Sequence, residues 1–243
     1  MIANAKQILR KDERNVDAMV AMSQANFALE RYELAKSIVL AAVKLRPMRA
    51  DLYHLAGLID VKRNNTPSAI GNFQEALKHA PSYPEARNNL GVLFHRARDY
   101  GSAEVEFKAA IKDYPDFKEA YLNLGNTYKG QKKYKDSELA FKRVITLDDQ
   151  YPDAHFNLGI LYLDSEVPGM DATARFQKSI DAFNQYKKVS RNVKKGDPAD
   201  KYIAEASKKI EIERQKQEMM RESQKESEEA ESEPETDDAG GEE

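Results

Sequence analysis

Residues 118–151 read KEAYLNLGNTYKGQKKYKDSELAFKRVITLDDQY, and this stretch decides the fold. Ala120, Tyr121, Leu124, Gly125 and Tyr128 fall at i, i+1, i+4, i+5 and i+8, which places them on one apolar stripe of a helix. Gly130-Gln131-Lys132-Lys133 breaks that helix. A second helix is expected from about Lys135 to Leu147, with Ser137, Phe141 and Val144 on its inner face. Small residues at Gly125 and Ser137 allow the two helices to approach closely, and Tyr121, Tyr128 and Phe141 fill the remaining space. A bulky side chain in place of such a glycine overpacks the interface.

Working outward, the same arrangement recurs with a period of 34 residues. Gly57, Gly91, Gly125 and Gly159 keep that spacing. So do Ala35, Ala69 and Ala103, with Ser137 in the next slot, and Pro47, Pro81 and Pro115. A helical pair repeated at this period is the signature of a solenoid, in which each pair buries its apolar face only against its neighbours. The pattern argues for a binding scaffold and against an enzyme.

The residue types match a known family. Residues 84–115 carry Leu90, Gly91, Phe94, Tyr100, Ala103, Phe107, Ala110 and Pro115. Residues 50–81 carry Tyr53, Gly57, Ala69, Phe73, Ala76 and Pro81, and residues 16–47 carry Met19, Met22, Ser23, Tyr32, Ala35, Ala42 and Pro47. This run resembles the tetratricopeptide repeat (TPR), over roughly residues 1–190. The resemblance implies an all-α, right-handed superhelical solenoid whose first helices line a concave, peptide-binding face. The expected organisation is a partial repeat at 1–15, repeats at 16–49, 50–83, 84–117 and 118–151, and a fifth at 152–193 with an insert near 167–170. A capping helix at 197–221 and an acidic, disordered tail at 222–243 complete it.

Departures from the pattern carry information. Asp60 and Asn26 occupy slots where the family has an aromatic, so the second and first repeats are expected to pack less tightly. Pro67 fits the start of a helix, where its missing N–H has no intrahelical partner. In the fifth repeat Phe176, Ser179, Phe183 and Tyr186 match Tyr134, Ser137, Phe141 and Val144 only after eight extra residues. The insert lies near Val167-Pro168-Gly169-Met170, a Pro-Gly loop signal, and insertions in repeat proteins often carry function. Before Val16, Ala5, Ile8 and Leu9 read as a second helix without its first, so the chain is expected to be truncated or preceded by a further segment. Asp197-Pro198 reads as an N-cap followed by a first helical position, and Tyr202, Ile203, Ala206 and Ile210 form the narrow stripe of a terminal helix.

By family position, Asn89, Asn123 and Asn157 recur at one point of the concave face. Each amide both donates and accepts, so a row of them suits the backbone of an extended peptide. Asn88, Asn126, Phe156 and Lys129 are the expected secondary contacts. An exposed helix face that binds nothing would show the same asparagines. The basic clamp with which some relatives hold chaperone C-termini is missing, because its positions hold His54, Asn88, Leu122, Glu119 and Asp153.

Bulk properties narrow the remaining classes. Of 243 residues 33% are charged, and no apolar run approaches the roughly 18–20 residues that span a bilayer. The net charge of -3 divides into -10 over residues 222–243 and +7 over the rest. There is no cysteine, which excludes disulfides, thiolate metal sites and cysteine nucleophiles. His54, His79, His95 and His155 lack the spacing of a zinc site. No phosphate loop or nucleophile elbow is present, so no catalytic residue, metal or other cofactor is expected. Residues 1–10 lack the basic start and apolar run of a secretory leader. Lys187, Lys188, Arg191, Lys194 and Lys195 cluster at a helix end, where they are solvated, pair with the acidic tail, or touch nucleic acid or anionic lipid.

The expected function is a non-catalytic protein–protein interaction scaffold, one component of a multiprotein complex. The fifth repeat and the acidic tail resemble a TPR lipoprotein of the myxobacterial gliding-motility machinery. That resemblance implies an envelope complex, a lipid anchor upstream of this chain and a periplasmic, outer-membrane-associated place; without it the place is cytoplasmic. Two alternatives stand beside this reading: a helical-repeat RNA-binding protein, given the +7 body, and a regulatory fragment of a larger enzyme. Against RNA, basic residues do not line the expected groove.

Overall fold

A computed structural model describes residues 2–191 and 196–232, with side chains to 228. Among the described residues the chain is all helical, with twelve helices and no strand. It divides into two compact units, Met1–Asp149 and Gln150–Glu243.

The first unit holds α1 (Ile2–Lys11) followed by four helical pairs. These are α2 (Val16–Ala28) with α3 (Tyr32–Leu45), α4 (Ala50–Lys62) with α5 (Thr66–His79), α6 (Pro84–Arg96) with α7 (Tyr100–Asp113), and α8 (Lys118–Gly130) with α9 (Tyr134–Leu147). Each helix packs on the next in sequence, and first helices also touch across repeats, α2 on α4 and α6 on α8. This is the solenoid expected from the period.

Glycine sets the distance within the second, third and fourth pairs. The rings of Phe73, Phe107 and Phe141 are fully buried, and each lies where a Cβ on Gly57, Gly91 or Gly125 would stand, only 2.5–2.7 Å away. A hydroxyl at the same interface answers a backbone carbonyl. Ser137 Oγ donates to Gly125 O at 2.8 Å, and in the first pair the roles exchange sides, with Ser23 Oγ donating to Ala35 O at 2.8 Å.

The turns inside the pairs repeat as faithfully. Glu30, Asn64, Arg98 and Lys132 all have φ of 58–61°, the left-handed conformation that ends a helix in a Schellman motif. The next residue's N–H returns to the helix in each case: Arg31 to Asn26 O, Asn65 to Asp60 O, Asp99 to Phe94 O and Lys133 to Tyr128 O, at 2.9–3.0 Å. Asn65 and Asp99 then cap the following helix through Ser68 N and Ser102 N.

The looser packing expected at Asp60 is not what forms. Asp60 is fully buried and every direction around its carboxylate is filled. Oδ2 accepts from Lys36 Nζ at 2.6 Å, Ser68 Oγ at 2.5 Å and Asn72 Nδ2 at 2.8 Å, while Oδ1 accepts from Arg63 Nη1 at 3.0 Å. Burial alone would push this carboxyl up, but the donors from Lys36, Ser68 and Arg63 outweigh it and hold it below its ordinary value. The polar network joins α3, α4 and α5 where other repeats stack an aromatic. Asn26 is likewise buried, its amide donating to Met22 O at 2.8 Å.

The second unit contains α10 (Pro152–Asp164), α11 (Ala172–Val189) and α12 (Pro198–Ser232). Phe183 fills the space beside Gly159, and Ser179 Oγ donates to Gly159 O at 2.8 Å, so the pairing geometry is kept despite the insert. The insert replaces the left-handed turn: Ser165 ends α10 in an extended conformation and Gly169, at φ 82°, turns the chain back. Asp197 caps α12 through Ala199 N. Ala199, Ala206 and Ile210 are buried against Phe176 and Phe183, with Tyr202 and Ile203 packed beside them. α12 continues past Arg221, where a disordered tail was expected to begin, as far as Ser232. Its charged residues suit a solvated helix, with pairs such as Lys209–Glu205 and Lys216–Glu213 at helical spacing. Residues 233–243 lie outside the described residues. So do Lys194 and Lys195 of the basic cluster, while Lys187 pairs with Asp200. No helix is long and apolar enough to cross a membrane among the described residues.

Candidate functional site

The first helices of the repeats carry the side chains of interest, and their polar groups interlock. On α4, His54 Nε2 is 3.0 Å from Asn89 Nδ2 of α6, and its Nδ1 is 3.1 Å from the Tyr83 hydroxyl. An amide nitrogen can only donate, so Nε2 accepts and the ring proton sits on Nδ1, donating to Tyr83. The imidazole lies 4.8 Å from the Tyr83 ring and 5.7 Å from Phe73. Burial holds His54 below its ordinary pKa, against the opposing pull of Glu85 and Asp51. The neutral form is the one that can accept from Asn89.

One repeat further, the relation recurs. Asn123 Nδ2 on α8 donates to Asn88 Oδ1 on α6 at 3.0 Å. Both contacts span 35 residues, from one position of a first helix to the adjoining position of the next. Beside them Thr127 donates to Asn123 O at 2.8 Å and accepts from His95 Nδ1 at 3.0 Å. His95 lies 5.3 Å from the Tyr100 ring, and burial lowers its pKa as well.

Of the expected asparagine row, Asn89 on α6 bonds His54 of α4 and Asn123 on α8 bonds Asn88 of α6, so one amide donor on each is engaged in joining repeats. Asn126 and Lys129 are half-buried on α8, as is Leu122. Asp51, Glu85 and Glu119 stand in the first turns of α4, α6 and α8, where acids suit the positive end of the helix dipole. Asn157 and Phe156 belong to the second unit. Asn157 is half-buried. Phe156 sits in an aromatic cluster, 5.5 Å from Phe183, 5.1 Å from Tyr186 and 6.0 Å from Tyr202, so α12 packs against the residue expected to touch a peptide. Sequence reasoning missed the His54–Tyr83–Asn89 group and the Asp60 network. The 35-residue offset between complementary polar residues was the signal available for the first, and acids and bases in an aromatic slot for the second. Among the described residues no group of three or more metal-ligating side chains is present.

With this geometry in hand, the chain can be set beside known proteins. A tetratricopeptide-repeat family profile matches it over residues 54–116 and 96–152. No curated protein sequence matches it at a significant level. Solved structures share its fold. The Pseudomonas aeruginosa PilF structure aligns with a TM-score of 0.65 at 17% identity, covering 75% of this chain and 79% of that one. YrrB, described as a TPR protein with an unusual peptide-binding site, aligns with a TM-score of 0.62 at 16% identity, covering 84% and 97%. PilW, described as a widely conserved type IV pilus biogenesis factor, aligns with a TM-score of 0.68 at 21% identity, covering 82% and 91%. At these identities the likeness is one of fold.

Proposed function

We propose, on the premise that residues 54–152 are tetratricopeptide repeats, that this protein is a non-catalytic scaffold holding an extended segment of a protein partner across its first helices. The observation that carries the reading is the polar row on α4, α6 and α8. His54, Asn88, Asn89 and Asn123 are fixed by inter-repeat hydrogen bonds, and half-buried Leu122 and Asn126 lie among them. Fixing side chains before a partner arrives lowers the entropy lost on binding. The second lone pairs and second amide hydrogens of these asparagines remain for a peptide backbone. YrrB, a protein of the same fold, is described as having a peptide-binding site, which favours the same use here.

A place in a bacterial envelope assembly is the finer part of the proposal. It is supported by the resemblance of the fifth repeat to a motility lipoprotein and by the fold shared with a pilus biogenesis factor. Site-specific photo-crosslinking in the native organism tests both parts. A crosslinker at Leu122 or Asn126 should trap a partner polypeptide that one at Val105 or Leu139, exposed on the second helices, does not. Trapping only from Val105 or Leu139 overturns the first-helix reading, and a partner confined to the cytosol overturns the envelope assignment.

A further inference from the structure

The insert in the second unit builds a site of its own, independent of the first-helix reading. Glu166, Val167, Pro168, Gly169, Met170 and Ala172 enclose, with Arg175, a cleft of about 440 Å³, within the range of ligand pockets. Arg175 is nine-tenths buried, with 9% of its surface exposed. Its Nη1 donates to Tyr162 O at 2.6 Å and Leu163 O at 3.3 Å, which ties off the end of α10. Its guanidinium lies 4.3 Å from the Phe176 ring. Nε and Nη2 make no hydrogen bond, and no carboxylate stands at ion-pair distance, among the described residues. Burial lowers the pKa of this guanidinium, while Glu166, Glu213 and Asp164 pull it up from a distance. Lys209, also over Phe176, is paired with Glu205.

Elsewhere in this chain the Nε/Nη2 edge of arginine holds a carboxylate side-on. Arg49 grips Asp51 at 3.0 and 2.6 Å, and Arg63 grips Glu33 at 2.7 and 2.9 Å. That bidentate fork is the strongest recognition element arginine offers. The cap on α10 uses Nη1 alone, and the Nε/Nη2 edge keeps solvent access on an otherwise buried side chain. The cleft also sets the fork beside aliphatic walls, Val167, Pro168 and Met170. A carboxylate and an aliphatic group carried on one Cα satisfy both at once. In an extended chain the neighbour of an acidic residue points the opposite way, so an internal glutamate does not. We propose that this cleft binds the C-terminal carboxylate of a partner polypeptide that ends in an aliphatic residue.

The test is a ¹⁵N–¹H chemical-shift titration of the whole chain with N-acetyl-Ala-Leu as free acid, the same peptide as its C-terminal amide, and N-acetyl-Ala-Glu-Ala amide. The free acid should move the amide signals of residues 166–175, and the two amides should not. Arg175→Gln should weaken the effect by at least about tenfold, the loss of a charge-assisted hydrogen bond. Because that change also removes the cap on α10, Glu166→Gln is the second variant. It is exposed, leaves the cap in place and removes a like charge, so it should tighten binding by about two- to fivefold. Equal shifts with acid and amide, no shift with either, binding by the internal glutamate alone, or weaker binding by Glu166→Gln each overturn the proposal. The readout is confined to the insert, so its failure is distinguishable from failure of the first-helix reading.

Discussion

Substituting Gly125 by alanine isolates the interaction that sets the repeat geometry. A Cβ at Gly125 would lie 2.5 Å from Phe141 Cε1 and 2.7 Å from Cδ1, whereas carbon atoms pack at about 3.5–4.0 Å. Phe141 is fully buried, so its ring has no open solvent to swing into, and α8 or α9 must shift. Overpacking of this kind costs about 1–3 kcal/mol. Alanine also favours the helix over glycine by about 1 kcal/mol, which leaves a net loss between roughly zero and 2 kcal/mol. Gly71 on α5 supplies the control, because a Cβ there meets nothing within 4 Å and only the helical gain remains. Urea unfolding followed by far-UV circular dichroism compares the two variants. Stability should differ between them by about 1–3 kcal/mol, with Gly71→Ala above wild type. If Gly125→Ala raises the midpoint as much as Gly71→Ala, the steric account of the repeated spacing is wrong. If the account holds, Phe141→Leu should recover part of the loss in the Gly125→Ala background, a coupling expected only of residues in contact.

Other outcomes follow from the same contacts. Asp60→Ala strands Lys36 beside a buried gap and should cost about 3–5 kcal/mol, while Asp60→Leu with Lys36→Met should recover much of it; thermal unfolding of the three chains checks this. Arg98→Gly removes the left-handed strain at φ 60° and should stabilise by up to about 1 kcal/mol in the same assay. Glu104 is partly buried, yet hydrogen bonds from Lys108, Lys133 and Gln131 lower its pKa to about 2. Its contribution is therefore complete above the unfolded value and lost as pH falls from about 4.5 towards 2, and Glu104→Gln should flatten that part of a stability–pH profile. Burial depresses His54 and His95, so the unfolded chain takes up protons first; stability should decline as pH drops below about 6.5, and His54→Gln should make that decline shallower.

The sequence by itself determined the helical pairs, their period and the interface between them. These rest on local physics: apolar residues at helical spacing, a glycine opposite a phenylalanine 16 residues later, and a helix break such as Gly130-Gln131-Lys132-Lys133 between the two. Such rules act within one repeat and are repeated along the chain, so they can be read from any copy. Tertiary structure decided how polar residues were used. Asp60 looked like a defect when compared with the aromatics at its slot, because Lys36, Arg63, Ser68 and Asn72 surround it only once α3, α4 and α5 pack. Asn89 and Asn123 looked free, because their partners His54 and Asn88 lie on the preceding helix pair. Arg175 was indistinguishable from any other charge until the insert folded over it. Hydrogen bonding and ion pairing depend on distances of about 3 Å, and those are set between helices, beyond the reach of periodicity along one of them.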